Sequence, residues 1–168
     1  MYQVGDLIVY GNTGVCRISG LTTPNLPGAD CKKEYYVLEP LFQDGTIYSP
    51  VDNTRVHIRP VISKEQAEEL IAMIPSLQTH EFYSAGTQQL AEHYQSFFSS
   101  HNCSDLLELI MSIYAKKQYM IAKKHKFGQI DERFMRKAED LLYGELSVAL
   151  GIEPKEIPAY IEQHISKA

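Results

Sequence analysis

Hydrophobic and polar positions along the chain follow two different periods. Up to about residue 60, short runs of β-branched and aromatic residues alternate with glycine, proline and asparagine turns, a pattern typical of β-strands. Proline cannot donate to a sheet ladder, so Pro40 and Pro50 should end the third and fourth strands. Five short strands joined by turns favour a small barrel, which closes its own sheet edges. The predicted strands are residues 6–10, 15–21, 34–41, 46–49 and 55–59.

Beyond residue 60 the period becomes that of α-helices. Ser63 and Gln66 have the spacing of a capping box, and the helix that they begin should run to about residue 74. Gly151 suits the end of a long helix, and Pro154 suits the first turn of a short final one. Apolar residues recurring every three or four positions predict further helices at about 87–100, 103–124 and 131–150.

The predicted fold class is therefore α+β. A five-stranded β-barrel domain spans residues 1–62, and an all-α helical domain spans residues 63–168. With 168 residues, 44% of them hydrophobic, two small domains can each bury a core without disulfide or metal support.

The cysteines and the N-terminus suggest a reducing compartment. Cys16, Cys31 and Cys103 are widely spaced and form no CxxC pair, so they are expected to be reduced thiols. The N-terminus lacks the basic and apolar regions of a signal peptide, and no apolar run reaches the roughly 18 residues of a membrane span. We therefore expect a cytoplasmic protein with no membrane contact.

Candidate catalytic chemistry is sparse. The six histidines form no HExxH motif or close His/Cys/Asp cluster, and no nucleophile elbow, Walker loop or GxGxxG motif is present. The expectation is a binding protein rather than an enzyme, with no cofactor and no metal.

Tyr35, Tyr36 and Tyr48 fall in the predicted strands. They fit either an aromatic contact surface or packing inside the barrel. Alternation along a strand places Tyr35 and Tyr36 on opposite faces, so at most one of them points into the core.

The net charge of −5 conceals an uneven distribution. Residues 61–113 carry one basic residue against seven acids, whereas residues 114–137 carry eight basic residues against two acids. Spacing on two neighbouring helices could bring the basic residues together as phosphate contacts, or they could form an ordinary solvated face. This basic stripe comprises Lys116, Lys117, Lys123, Lys124, Lys126, Arg133, Arg136 and Lys137.

Several segments together resemble the CarD/CdnL family of bacterial transcription regulators. The opening MYQVGDLIVYGNTGVCRISGL has the VGD…VY…G pattern of the family, and KKEYYVL and TIYSPVDN are similar to its next strands. Tyr143, Gly144, Glu145 and Leu146 fit a GEL element in a late helix.

The resemblance implies a Tudor-like barrel that binds the β subunit of RNA polymerase by adding an edge strand to a sheet there. It also implies a helical domain that contacts promoter DNA at the upstream edge of the melted region and stabilises the open complex. The implied polymerase-binding strand is Thr46, Ile47, Tyr48, Ser49 and Pro50.

Two positions depart from the family pattern. Tyr48 stands where relatives often have a basic residue, so an arginine–carboxylate contact is not expected there, although backbone pairing would survive. Thr87 stands where the family has a tryptophan that wedges into DNA, and this chain contains no tryptophan. Phe82 and Tyr83 are near enough in sequence to be considered as substitutes.

Two functions remain open at this point, ahead of a third in which residues brought together only by the fold form an unrecognised enzyme site. One is a transcription regulator that binds RNA polymerase through residues 1–62 and promoter DNA, without sequence specificity, through the basic stripe. The other is a protein-interaction module for polymerase or another partner, with little or no affinity for DNA.

Overall fold

A computed structural model describes residues 2–23, 34–53, 55–79, 81–83 and 86–166. Cys31, expected to be a reduced thiol, lies outside the described residues. The chain divides into two compact units, residues 1–61 and residues 62–168.

The described residues of the first unit form an antiparallel sheet of five strands in the order β4-β3-β2-β1-β5. Gly11 lies in the turn between the first two strands with φ +46°, and a Cβ there would come within 2.9 Å of the Val56 side chain. A residue without a side chain is therefore required at this turn. The strands are β1 Leu7–Tyr10, β2 Gly14–Thr22, β3 Tyr35–Pro40, β4 Ile47–Pro50 and β5 Ile58–Pro60.

Alternation of side chains builds the core of the sheet on one of its faces. Tyr36 is the buried member of the Tyr35–Tyr36 pair, and its hydroxyl accepts a hydrogen bond from the Tyr2 backbone N–H at 3.0 Å. Tyr48 lies on the opposite face and is exposed. The buried core residues are Ile8, Cys16, Ile18, Tyr36 and Leu38.

The fifth strand begins later than its alternating sequence indicates. The Asn53 side chain accepts a hydrogen bond from the Arg55 N–H at 2.9 Å and donates one to the Val56 carbonyl at 3.0 Å. An asparagine that bonds its own downstream backbone holds a turn. The predicted strand at 55–59 is therefore wrong in its first half, and β5 starts only at Ile58.

In the described part of the second unit, the chain forms five α-helices and two short 3₁₀ turns. Ser63 accepts from the Gln66 N–H at 3.1 Å while the Gln66 side chain accepts from the Ser63 N–H at 2.9 Å, so the predicted capping box is present. Gly151 adopts the left-handed conformation, φ +73°, that ends the fourth helix. The helices are α1 Lys64–Ala72, α2 Thr87–Ser96, α3 Cys103–Ala122, α4 Gln129–Leu150 and α5 Ile157–Ser166.

Two of these helices end before the predicted boundary. The hydroxyls of Ser96 and Ser99 donate to carbonyls three residues earlier, at 2.6 and 2.7 Å, and this local bonding competes with a continued α2. At the end of α3, Lys124 takes a positive φ of +59°, which no helix interior tolerates.

The core of the helical unit lies mainly between α2, α3 and α4. Three aromatic rings pack together in this core. The centroid of the Phe134 ring lies 5.6 Å from that of Tyr94 and 6.2 Å from that of Phe98. Leu142 and Ala138 of α4 are completely buried. This five-stranded sheet followed by a helical unit confirms the predicted α+β fold class, a Tudor-like β domain plus a helical domain.

Candidate docking strand and nucleic-acid interface

Strand β4 stands at the end of the sheet order. It pairs with β3 on one side, in the register Tyr36 to Ser49 and Val37 to Tyr48. No strand pairs with its other side within the residues that the structure describes. The Val51 N–H bonds to the Glu34 carbonyl at 3.1 Å, so in antiparallel alternation Ser49 also faces β3, whereas the backbone of Tyr48 faces outward.

The predicted docking strand thus corresponds to β4 and the residue before it. Its residues are Thr46, Ile47, Tyr48, Ser49 and Pro50. Tyr48 is 44% exposed and Ser49 is fully buried. A row of unpaired backbone groups on an end strand is a template for pairing with another chain.

Ser49 carries the one buried side-chain oxygen without a hydrogen-bond partner among the described residues. Burying an unsatisfied hydroxyl opposes folding, so Ser49→Ala should raise the free energy of unfolding by about 1 kcal/mol. Urea denaturation measures this. Ser19→Ala is the control, because the Ser19 hydroxyl donates to the Val37 carbonyl at 3.2 Å and its removal should give no gain. A loss of stability in Ser49→Ala contradicts the argument.

The basic stripe does not form one solvent-facing surface. Lys116 is only 4% exposed, and Lys124 lies beyond the end of α3 with a φ of +59°. Spacing along α3 would place Lys116, Lys117, Lys123 and Lys124 on one helix face, but that face does not present all four to solvent because Lys116 is buried.

Lys116 belongs to a buried polar cluster with Asp131 and Tyr94. Its ammonium group donates to Asp131 Oδ1 at 2.9 Å, and the Tyr94 hydroxyl donates to the same oxygen in a short hydrogen bond. Burial, together with the bond to Asp131, raises the pKa of the Tyr94 hydroxyl far above its usual range. Lys116 is thus a structural cation, and no phosphate can reach it without breaking this cluster.

Four other basic residues make contacts within the protein. Lys117 lies 5.4 Å from the Phe127 ring centroid, Arg133 5.1 Å from Phe134 and Lys137 4.7 Å from Phe98. Arg136 pairs with Glu132, one helical turn away, at 3.4 Å. Long cationic side chains can cover apolar surface while their charged ends reach water, which describes the half-buried Lys117 and Lys137. Arg133 and Arg136, by contrast, remain exposed.

Lys123, Lys124 and Lys126 are the exposed lysines of the stripe. All three lie in the segment between α3 and α4. Lys126 also lines an open groove of about 650 Å³ between these helices and α2. The groove is lined by Tyr83, Thr87, Leu90, Lys116, Met120, Lys126, Gly128, Gln129, Ile130 and Asp131.

Thr87, at the position of the family's tryptophan, is the exposed first residue of α2. Phe82 stacks on the His93 ring with centroids 3.9 Å apart, and burial lowers the pKa of His93. Tyr83 is 52% exposed at the mouth of the groove. Of the two candidate substitutes, Phe82 therefore packs against the protein and Tyr83 remains open to a ligand.

Glu145 has a structural role that the sequence pattern did not indicate. The pattern only placed it in the GEL element of a late helix. Its carboxylate is buried and accepts from the Ile62 N–H and the Cys103 thiol, each at 3.0 Å. It therefore fixes the start of the helical unit to α3 and α4. Charged residues are rarely buried without partners, but sequence alone does not show that Glu145 is buried.

The described residues contain no group of three or more His, Cys, Asp or Glu side chains arranged to hold a metal ion. In the same part of the chain, no helix has the length and apolar character required to cross a membrane.

Comparison with protein families assigns the β unit. Residues 2–62 match the model of the CarD-like/TRCF RID domain. The N-terminal domain belongs to this family. The CarD-like resemblance of the opening strands is thereby confirmed for the RID domain, which is an interaction domain for RNA polymerase. The helical unit lies beyond the matched residues, and no curated protein matches the chain.

The chain is therefore an RNA polymerase-interacting, transcription-related protein. The RID domain families are regulatory interaction domains rather than catalytic ones.

Proposed function

We propose that this protein is a bacterial, cytoplasmic transcription regulator that binds the β subunit of RNA polymerase through β4. We further propose that its helical unit contacts promoter DNA through exposed lysines and thereby stabilises the open complex. The observation that carries the proposal is an open end strand, β4, in a RID domain.

Strand addition explains how β4 can bind without the basic residue that relatives often have at position 48. The outward N–H and C=O of Tyr48 can pair with a strand of the polymerase whatever its sequence. The exposed Tyr48 side chain adds apolar contact area beside that backbone pairing. Affinity then depends on the backbone of β4 more than on any charge.

Tyr48→Pro should weaken binding of the full chain to the polymerase β subunit by about tenfold or more, because it removes an outward N–H donor. Tyr48→Ala, which keeps that N–H, should bind at least several times more tightly than Tyr48→Pro. The binding constants can be measured by biolayer interferometry, with urea denaturation confirming that both variants are folded. Equal binding by wild type and Tyr48→Pro would sink the strand-addition proposal.

The DNA contact rests on Lys123, Lys124 and Lys126, which lie together and are exposed. Changing all three to glutamine should reduce the salt dependence of binding to promoter-fork DNA by about 2 to 3 in the slope of log K against log[salt]. Fluorescence anisotropy at several salt concentrations measures that slope. The matched control is Lys64→Gln/Lys155→Gln, which removes exposed lysines outside the segment. An unchanged slope in the triple variant would contradict the DNA contact.

A second candidate function is an interaction module with little affinity for DNA. It is favoured by the inward contacts of Lys116, Lys117 and Lys137, which leave fewer free cations than the sequence indicates. Under this alternative, wild-type protein binds the polymerase but shows no measurable affinity for fork DNA at moderate salt.

A further inference from the structure

Two aromatic rings in contact, with a lysine at each end, extend from the groove of the helical unit. Lys123 Nζ lies 5.9 Å from the Tyr119 centroid, the Tyr119 and Tyr83 rings meet edge to face at 6.1 Å, and Lys116 Nζ lies 5.0 Å from the Tyr83 centroid. We call Tyr83 and Tyr119, with Lys116 and Lys123 at the two ends, the cation–aromatic row.

Both rings of the row are open to solvent, Tyr83 at 52% and Tyr119 at 54%. Two large aromatic side chains exposed side by side on a surface typically mark a binding site. Leu90, Met120 and Ile130 give the adjoining groove apolar walls. The surface therefore suits a flat ligand that has apolar faces.

The Tyr83 ring is held in place before any ligand arrives. Asp131 fixes the Lys116 ammonium at 2.9 Å, and that ammonium lies near the Tyr83 ring. The edge of Tyr119 supports the same ring from another side. A ring held in this way loses little conformational entropy when a planar group stacks on it.

We propose that the groove binds an unpaired nucleobase of DNA, which stacks on the exposed part of Tyr83 while its phosphates lie against Lys123 and Lys126. The inference rests on the proposed contact between the helical unit and DNA. Charge complementarity favours this ligand, because the aromatic rings adjoin exposed lysines and nucleic-acid backbones are anionic. Thr87 and Gln129 also line the groove and can hydrogen-bond to the polar edge of a base.

The role assigned to Tyr83 differs from that of a wedge between paired bases. Stacking on an already unpaired base tolerates any base, since each has an apolar face, and it does not require the duplex to be kinked. Affinity should therefore depend on the presence of unpaired nucleotides more than on their sequence.

The test compares fork DNA that carries 2-aminopurine in its single-stranded arm with a fully paired duplex of the same sequence. Tyr83→Ala should weaken binding to the fork by about five- to tenfold and abolish the stacking-dependent quenching of 2-aminopurine. The affinity of Tyr83→Ala for the duplex should remain within about twofold of the wild-type value, because the Tyr83 ring is proposed to stack only on an unpaired base. Tyr83→Phe should restore both fork binding and quenching, because it keeps the ring.

Tyr114→Ala is the matched control. Tyr114 is exposed to a similar extent, but it lies about 200° around α3 from Lys116 and so faces away from the groove. This variant should bind and quench as wild type does. Circular dichroism and thermal unfolding of all variants confirm that the groove is intact.

Different results overturn different parts of the proposal. If wild-type protein binds neither DNA, the proposed DNA contact and this inference both fail. If wild type binds both with the expected salt dependence but Tyr83→Ala loses no fork affinity or quenching, only this inference fails. It also fails if Tyr83→Ala weakens fork and duplex binding equally, or if polyglutamate competes for a Tyr83-dependent site while oligo(dT) does not.

Discussion

Replacing Lys116 by methionine should lower the free energy of unfolding by about 3 to 5 kcal/mol, the usual cost of leaving one member of a buried ion pair without its partner. Lys116 and Asp131 are both almost completely buried, with 2.9 Å between Nζ and Oδ1. Methionine replaces the length of the lysine stem, so loss of the cation rather than of volume dominates. The Tyr94 hydrogen bond to Asp131 remains but supplies no positive charge.

Chemical denaturation followed by circular dichroism measures the effect. Lys117→Met is the matched control, because Lys117 is only half-buried and lies over the Phe127 ring without a buried carboxylate partner. Lys117→Met should lower the free energy of unfolding by less than about 1 kcal/mol. The double variant Lys116→Met/Asp131→Asn should recover part of the loss, since no buried charge then remains unpaired and the introduced amide oxygen can still accept from Tyr94. If Lys116→Met is as stable as Lys117→Met, the ion pair does not hold the helices.

This expectation changes how the DNA contact has to be tested. A variant that removes Lys116 together with surface lysines would lose DNA affinity through destabilisation of the helical unit, whether or not any phosphate is contacted. Lys123, Lys124 and Lys126 can be changed without touching the buried cluster. A fall in salt dependence for these three residues therefore reports on charge at the surface.

The burial of Lys116 could have been suspected from its spacing. Leu109 and Ile113 precede it by seven and three residues on the same side of α3, and both are buried. Lys116 therefore occupies the next position of the apolar face of the helix. Asp131 is one of two acids among the eight basic residues of the stripe, which makes it the natural counter-ion. What sequence cannot supply is the pairing of α3 with α4, which brings the two groups together.

Local chemistry explains which other predictions succeeded. The capping box at Ser63 and the left-handed Gly151 are specified by residues within one turn, so the sequence reveals them directly. The late start of β5 depends on a side chain of Asn53 that competes with strand pairing, and an alternating pattern does not report that competition. The docking role of β4 could be predicted only in part. Its strand character can be read from the sequence, but its position at the end of the sheet requires the topology.

The candidate DNA surface shows the same division. Charge clustering alone indicates eight phosphate contacts, whereas the structure leaves five of these residues exposed, and one of them, Lys126, lines the groove beside Tyr83. The missing tryptophan and the presence of Tyr83 are visible in the sequence. That Tyr83, and not Phe82, remains open depends on the stacking of Phe82 on His93, a contact between a loop and α2.

Glu145→Ala should lower the free energy of unfolding by about 2 to 4 kcal/mol, because it leaves buried donors unsatisfied and opens a cavity beside α3. The carboxylate accepts from the Ile62 N–H and the Cys103 thiol at 3.0 Å each, and a methyl group replaces neither bond. Asp140→Ala is the control, since Asp140 is exposed on the same helix and should change stability by less than about 0.5 kcal/mol.

Glu145→Gln separates the contribution of the hydrogen bonds from that of side-chain volume. Its amide oxygen can still accept one of the two bonds, so its stability should fall between those of wild type and Glu145→Ala. Hydrogen exchange at the Ile62 amide gives a local measure of the same contact, and exchange should accelerate most in Glu145→Ala. If the Ile62 amide keeps its protection in that variant, Glu145 does not hold the start of the helical unit. In that case the loss of stability would arise from the cavity alone.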